Sequence, residues 1–147
     1  MNSIFKNHGI TRVSNAVAAG TSDINSSSVD TDNCQTVGFI VSFGAIVASA
    51  ATSVKLQQSS DDGGSDAFAD LSGASITVAD TDDNTLVLIE ITEPQERYVR
   101  CVVDRGTQNA TVDSITAITK GSRKLPIDNT TDSTVSNQLT VVSPAEA

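Results

Sequence analysis

From residue 34 onward, short apolar runs alternate with clusters of turn-forming residues. The first run, CQTVGFIVSFGAIV (34–47), is rich in β-branched residues and Phe, and Gly38 and Gly44 interrupt it. It predicts a core strand, or two joined at a bend. TSVKLQQS (52–59) sets Val54, Leu56 and Gln58 against Ser53, Lys55 and Gln57, the period-two pattern of a strand with one wet face. SDDGGSD (60–66) is a dense turn cluster, after which Phe68 and Leu71 return to the core. ASITVAD (74–80) alternates again, DTDDN (80–84) turns the chain, and LVLIEIT (86–92) is a nearly continuous apolar strand that predicts burial on both faces.

Glu93-Pro94-Gln95-Glu96 must be a loop, because Pro94 has no N–H to give to a ladder. RYVRCVVDR (97–105) puts Val99, Cys101 and Val103 on its apolar face, with Arg97 and Arg105 at the ends, and Tyr98, Arg100, Val102 and Asp104 on the other. GTQN (106–109) turns into ATVDSITAITK (110–120), where Val112, Ile115 and Ile118 are core candidates. Their spacing of three also fits a helix, but Thr111, Thr116 and Thr119 favour a strand.

The two ends differ from this middle. Residues 1–33 are polar, with apolar side chains spaced out at Ile4, Phe5, Ile10, Val13 and Val17, and predict an extended arm lying along another surface. Beyond Pro126 the chain reads as a polar linker with one apolar run, LTVV (139–142), as a possible last strand before a tail. The expected organisation is thus an arm (1–33), one domain (34–125) and a linker with tail (126–147). Seven or eight short strands with turn chemistry between them predict an all-β fold, a two-sheet antiparallel β-sandwich with jelly-roll wiring.

Composition agrees with stacked sheets. In 147 residues there are four Phe, one Tyr and no Trp, so the core is built from Val, Ile, Ala and Leu. No run of about 18 apolar residues is present, and MNSIFKNHGITRV is too polar for a signal peptide, so no membrane is expected and synthesis is expected in the cytoplasm. Cys34 and Cys101 sit in apolar, strand-like runs and are expected as reduced thiols.

Charge is segregated along the chain. Of a net −9, residues 21–96 carry thirteen acids against Lys55 alone, whereas residues 97–124 hold six cations against Asp104 and Asp113. Such segregation suits a basic edge docking on an acidic neighbour, including the acidic half of another copy. Nucleic acid is not an expected partner, because the overall field repels phosphate and stacking aromatics are scarce.

Candidate chemistry is thin. A Ser or Cys nucleophile needs a base within reach, and the only histidine, His8, lies in the polar arm. DTDDNT (80–85) begins like a calcium loop but has Thr85 at the sixth position and Ile91 at the twelfth, so Asp80, Asp82, Asp83 and Asn84 are read as turn residues. Two distant cysteines and one histidine do not make a zinc site. Glu90, Glu93 and Glu96 lie close in sequence, but an acid catalyst needs a dry cleft lined with aromatics. Asn25-Ser26-Ser27, Asn109-Ala110-Thr111 and Asn129-Thr130-Thr131 match the glycosylation triplet at the rate that so much Asn, Ser and Thr makes ordinary. No catalytic residue, cofactor or metal is expected.

Residues 28–125 resemble the capsid cement or decoration proteins of tailed bacteriophages. The resemblance is carried by SVDTDN entering the sheet, VGFIVSFGAI, VKLQQSSDDGGSDAF, RYVRCVVDRGTQNATV and the basic exit GSRKLP. It implies a jelly-roll-like structural protein of the virion that clamps an assembled shell of major capsid protein, as a homo-oligomer, dimer or trimer, with no catalytic residues. The interface expected on that basis comprises Ile4, Phe5, Ile10, Arg12 and Val13 of the arm with Arg97, Arg100, Arg105, Lys120, Arg123 and Lys124. Competing expectations are a carbohydrate-binding or adhesin module, with Tyr98 as its one stacking residue, and a tail or connector subunit.

Overall fold

The computed structural model describes residues 3–106 and 108–142. After a short helix, α1 (Ile4–Asn7), come β1 (Gly9–Ser14), β2 (Val17–Gly20), β3 (Ile24–Asn25) and β4 (Val29–Asp30). The longer strands follow: β5 (Thr36–Ile46), β6 (Thr52–Ser59), β7 (Ala69–Val78), β8 (Leu86–Thr92), β9 (Tyr98–Asp104) and β10 (Ala110–Lys120). They form two antiparallel sheets. Sheet A runs β1-β10-β5-β8 with β2 also on β10, and sheet B runs β3-β9-β6-β7 with β4 also on β9. β1 and β2 lie end to end along β10, and β3 and β4 end to end along β9. Taken as two broken strands, they give the jelly-roll order of four strands per sheet.

Alternation builds the core. Val37, Phe39, Val41 and Phe43 of β5 face Val54 and Leu56 of β6 and Val99, Cys101 and Val103 of β9 across the sandwich, all buried. β10 contributes Ala110, Val112, Ile115 and Ala117. The three-residue step from Val112 to Ile115 is a β-bulge: Val112 pairs with Phe43 but Ser114 with Ser42, so Asp113 is the extra residue. The bulge sends Ile118, expected in the core, to the outer face beside Gly38 and Ile10.

Three other expectations are corrected. Residues 1–33 are not an arm outside the domain, because from Gly9 their backbone pairs into both sheets and Val13, Ile24 and Val29 are buried in the core. LVLIEIT is not buried on both faces: β8 is the edge of sheet A, so only Ile89 is buried while Leu86 and Leu88 remain 61% and 65% exposed. LTVV (139–142) forms no strand, and Leu139, Val141 and Val142 are exposed. What the C-terminal segment does instead is cap an edge. Asn129 Oδ1 accepts the Ile10 N–H at 2.8 Å and Thr134 Oγ1 the Arg12 N–H at 2.9 Å, on the side of β1 away from β10. The buried Asn129 amide also donates to the carbonyls of Phe5 and His8, fastening α1 to this segment.

Candidate interaction surface

The cations of residues 97–124 separate into three groups. Arg97 makes a two-pronged ion pair with Asp30, Nε and Nη2 lying 2.9 and 2.6 Å from its carboxylate oxygens, and its guanidinium sits 5.2 Å from the centre of the Tyr98 ring. The Arg97 hydrogen bonds hold the Asp30 carboxyl below the usual carboxylate range. Arg100 donates to Gln57 Oε1 at 2.8 Å and lies 4.2 Å from the centre of the Phe68 ring. Both side chains are thus already engaged within the chain, Arg97 while half exposed.

Arg105 is a structural residue rather than an interface residue. It is buried, and its guanidinium donates to the carbonyls of Ser22 (2.6 Å), Ala18 (2.7 Å) and Ala110 (3.0 Å). A planar fork with five N–H groups suits three carbonyls that converge where β2, β3 and the start of β10 meet. Val13 leaves the expected interface for the same kind of reason: it points inward and packs in the core.

Lys120, Arg123 and Lys124 form the third group. All three are exposed and make no ion pair among the described residues. Lys120 ends β10, and the chain runs from it through Arg123 and Lys124 to Ile127, whose N–H is held by the Lys6 carbonyl at 2.8 Å. Lys6 therefore joins the same end of the sandwich, and Leu125 stands exposed in the loop between. The opposite end of sheet A is acidic. There the 79–85 turn uses Asp80, Asp82 and Asp83 to accept the backbone N–H groups of Ser49, Ala79 and Ile46. Those contacts fit the turn role expected of them.

In the acidic-glycine turn, Asp61 accepts the N–H groups of Gly64, Ser65 and Asp66, which keep its carboxyl below the usual range. Gly63 has φ +79°, and a β-carbon added there would lie 3.1 Å from the Phe68 ring, which explains a glycine there. His8 Nδ1 lies 2.9 Å from the Ile4 carbonyl oxygen. Among the described residues no three His, Cys, Asp or Glu side chains are grouped to hold a metal ion, and no helix is long and apolar enough to cross a membrane. Cys34 and Cys101 are free thiols.

Sequence reasoning passes over the outer face of sheet A. Ile10, Ile118, Gly38 and Glu90 align in one cross-strand row, and Arg12, Thr116, Ile40 and Leu88 in the next. Beside them lies an open groove of about 500 Å³ bordered by Ile40, Leu88, Ile118, His8, Glu90 and Lys120. Of the expected interface residues, Ile10, Arg12 and Lys120 meet on this face, and Ile4 and Phe5 of α1 are exposed nearby along β1. The signal for it was the low polarity of LVLIEIT, which reads equally as burial.

No family model matches the chain, and no curated protein matches it. Among solved structures, PBSX exported protein XepA aligns with 94% of this chain at 14% identity and a TM-score of 0.53. The chain spans only 43% of XepA's length. SPBc2 prophage-derived protein YomS aligns with 80% of the chain and 98% of its own length, at 11% identity and a TM-score of 0.46. For FlhE the shares are 77% and 92%, with 13% identity and a TM-score of 0.37. XepA and YomS are phage-derived, and what the XepA alignment establishes is a common fold.

Proposed function

We propose that this chain is a phage structural protein of the cement or decoration class, which binds the outside of an assembled capsid and stabilises it. In this role it contacts the major capsid protein and other copies of itself, carries no catalytic site, and travels on the virion. The observation that carries the proposal is a cationic loop with no ion pair among the described residues: Lys120, Arg123 and Lys124 stand exposed with Leu125 at one end of a molecule whose net charge is −9. A local field opposed to the overall charge orients the molecule toward an acidic partner and repels wrong orientations. The jelly-roll fold shared with phage-derived XepA supports the phage setting. Repeated weak contacts suffice for a cement, because oligomeric copies on a shell engage at high local concentration.

A sugar-binding role has less support. The Tyr98 and Phe68 rings each already have a guanidinium beside them, which leaves Tyr98, the one stacking residue expected of such a site, less available for a sugar. The test is co-sedimentation with empty shells of the cognate phage. Saturable binding that weakens with added salt, and falls about tenfold or more in an Arg123→Glu, Lys124→Glu variant, is expected. Binding indifferent to both salt and the double reversal would overturn the assignment of this loop.

A further inference from the structure

We infer that the C-terminal run Leu139–Val142 of one copy adds as a strand to the outer edge of β8 in a second copy, over the open groove between β8 and β7. The inference rests on the self-contact half of the cement proposal and gives it a mechanism. β8 is a plain edge. The bonds that bracket it, Phe43 N–H to the Thr85 carbonyl and Glu93 N–H to the Gln35 carbonyl, turn the backbone groups of its odd-numbered residues toward β5. Those of Leu86, Leu88, Glu90 and Thr92 therefore point away from the sheet, where no strand pairs with them among the described residues. The strand holds no Lys, Pro or bulge, and natural sheets either blunt such an edge or pair it. β7, the neighbouring edge of sheet B, is blunted: residues 71–74 loop out opposite Leu56, with Gly73 at φ +75°. Between the two edges lies an open groove of about 330 Å³, where Leu71, Ala74, Ile76 and Ile91 leave the lip of the core unsealed.

The chain carries a strand-like run with no place in its own sheets, and that run matches this edge. Leu139, Val141 and Val142 are 80%, 61% and 83% exposed, and the segment pairs with no strand among the described residues. Its alternation suits both sides of β8. With Leu139 and Val141 entering the groove beside Ile76 and Ile91, Thr140 and Val142 fall on the outer face beside Leu86 and Leu88. The chain's own β8 is out of reach. Gln138 Oε1 accepts the Asn129 N–H at 3.1 Å and Asn129 is fixed to Ile10, so the run leaves from the β1 flank of sheet A. A strand added outside β8 stands four spacings from β1, about 19 Å at about 4.8 Å each, whereas four residues span about 13 Å at about 3.3 Å each. The run therefore serves another copy. Donor and acceptor stand on opposite flanks, so the contact is head-to-tail strand addition, which closes into a ring or continues from copy to copy.

Analytical ultracentrifugation of the full chain in the absence of any shell tests this with one defect on each side. Val141→Asp spoils the donor. Leu88→Pro spoils the acceptor by removing an N–H that faces away from β5, so the bonds between β5 and β8 remain. The parent is expected to associate with rising concentration, and each variant, folded by circular dichroism, to associate at least about tenfold more weakly. Mixed together, the two variants retain one intact donor and one intact acceptor, and a one-to-one heterodimer is expected. Should the proline unfold the domain, Ile76→Lys at the mouth of the groove takes its place. A parent monomeric at every concentration, association indifferent to either variant, or a mixture that gives no heterodimer would overturn the proposal. Shell binding is read separately with the Arg123 and Lys124 reversals, so loss of one result leaves the other standing.

Discussion

Removing the Arg105 head group is expected to destabilise the domain by about 3 kcal/mol. In Arg105→Ala three carbonyls, those of Ala18, Ser22 and Ala110, lose a charged donor at 2.6–3.0 Å within a site that excludes water. Each orphaned carbonyl costs roughly 1 kcal/mol at the low end of the known range, because the guanidinium's own desolvation cost disappears with it. For 147 residues the entropy of unfolding is about 0.3 kcal/mol per degree, so the melting temperature should fall by about 10 °C. Urea denaturation followed by circular dichroism reads the change as a shifted midpoint at constant slope. Arg105→Lys keeps the charge but not the fork, and about half the loss is expected. Arg123→Ala, on an exposed loop, should stay within about 0.5 kcal/mol of the parent. An Arg105→Ala protein equally close to the parent would refute the structural role given to this arginine.

Three further outcomes follow from the same geometry. Burial pushes the Cys101 thiol up to about 12 and raises Cys34 as well, with Asp30 adding to the second shift. A thiol-reactive dye at mildly alkaline pH should therefore label Cys101 only on unfolding, and labelling of the native protein at Cys101 would contradict its burial. Gly106 has φ +57° and a β-carbon there would overlap the Ala51 carbonyl, whereas Gly73, at φ +75°, has open space around it. Gly106→Ala should cost well over 2 kcal/mol and Gly73→Ala about 1 kcal/mol, as urea midpoints would record. Asp30 is held below its ordinary value of 3.8 by Arg97, so its contribution is present above about pH 4 and is lost as pH falls through the lower folded value. Asp30→Asn should flatten the acid limb of the stability profile, and an unchanged limb would show that the ion pair does not govern it.

The six long strands were legible because each is an alternating or apolar run bounded by turn residues. Their positions at 36–46, 52–59, 69–78, 86–92, 98–104 and 110–120 follow the pattern closely, apart from an earlier start for β7. β1 to β4 were not legible, since most contribute a single inward residue, Val13, Ile24 or Val29. What makes them strands is hydrogen bonding to β10 and β9, a property of the partner and not of their own sequence. Deleting residues 1–20 would therefore strip β10 of β1 and β2 along one side and destabilise the domain rather than report on a clamp.

The face of sheet A was hidden for a related reason. An apolar run looks the same in a central strand as at an exposed edge, and only the topology puts LVLIEIT at the edge. Charge segregation was visible, but its meaning was not. Arg97 answers to Asp30 and Arg105 to backbone carbonyls, and these long-range partners leave Lys120, Arg123 and Lys124 without an ion pair among the described residues.

The central claim, a capsid-bound structural protein, is tested most directly by counting copies of this chain in purified virions against the major capsid protein by quantitative mass spectrometry. The account predicts a fixed ratio set by repeated positions on the shell. Absence from virions, or only a handful of copies per particle as expected of a tail or connector subunit, would contradict it.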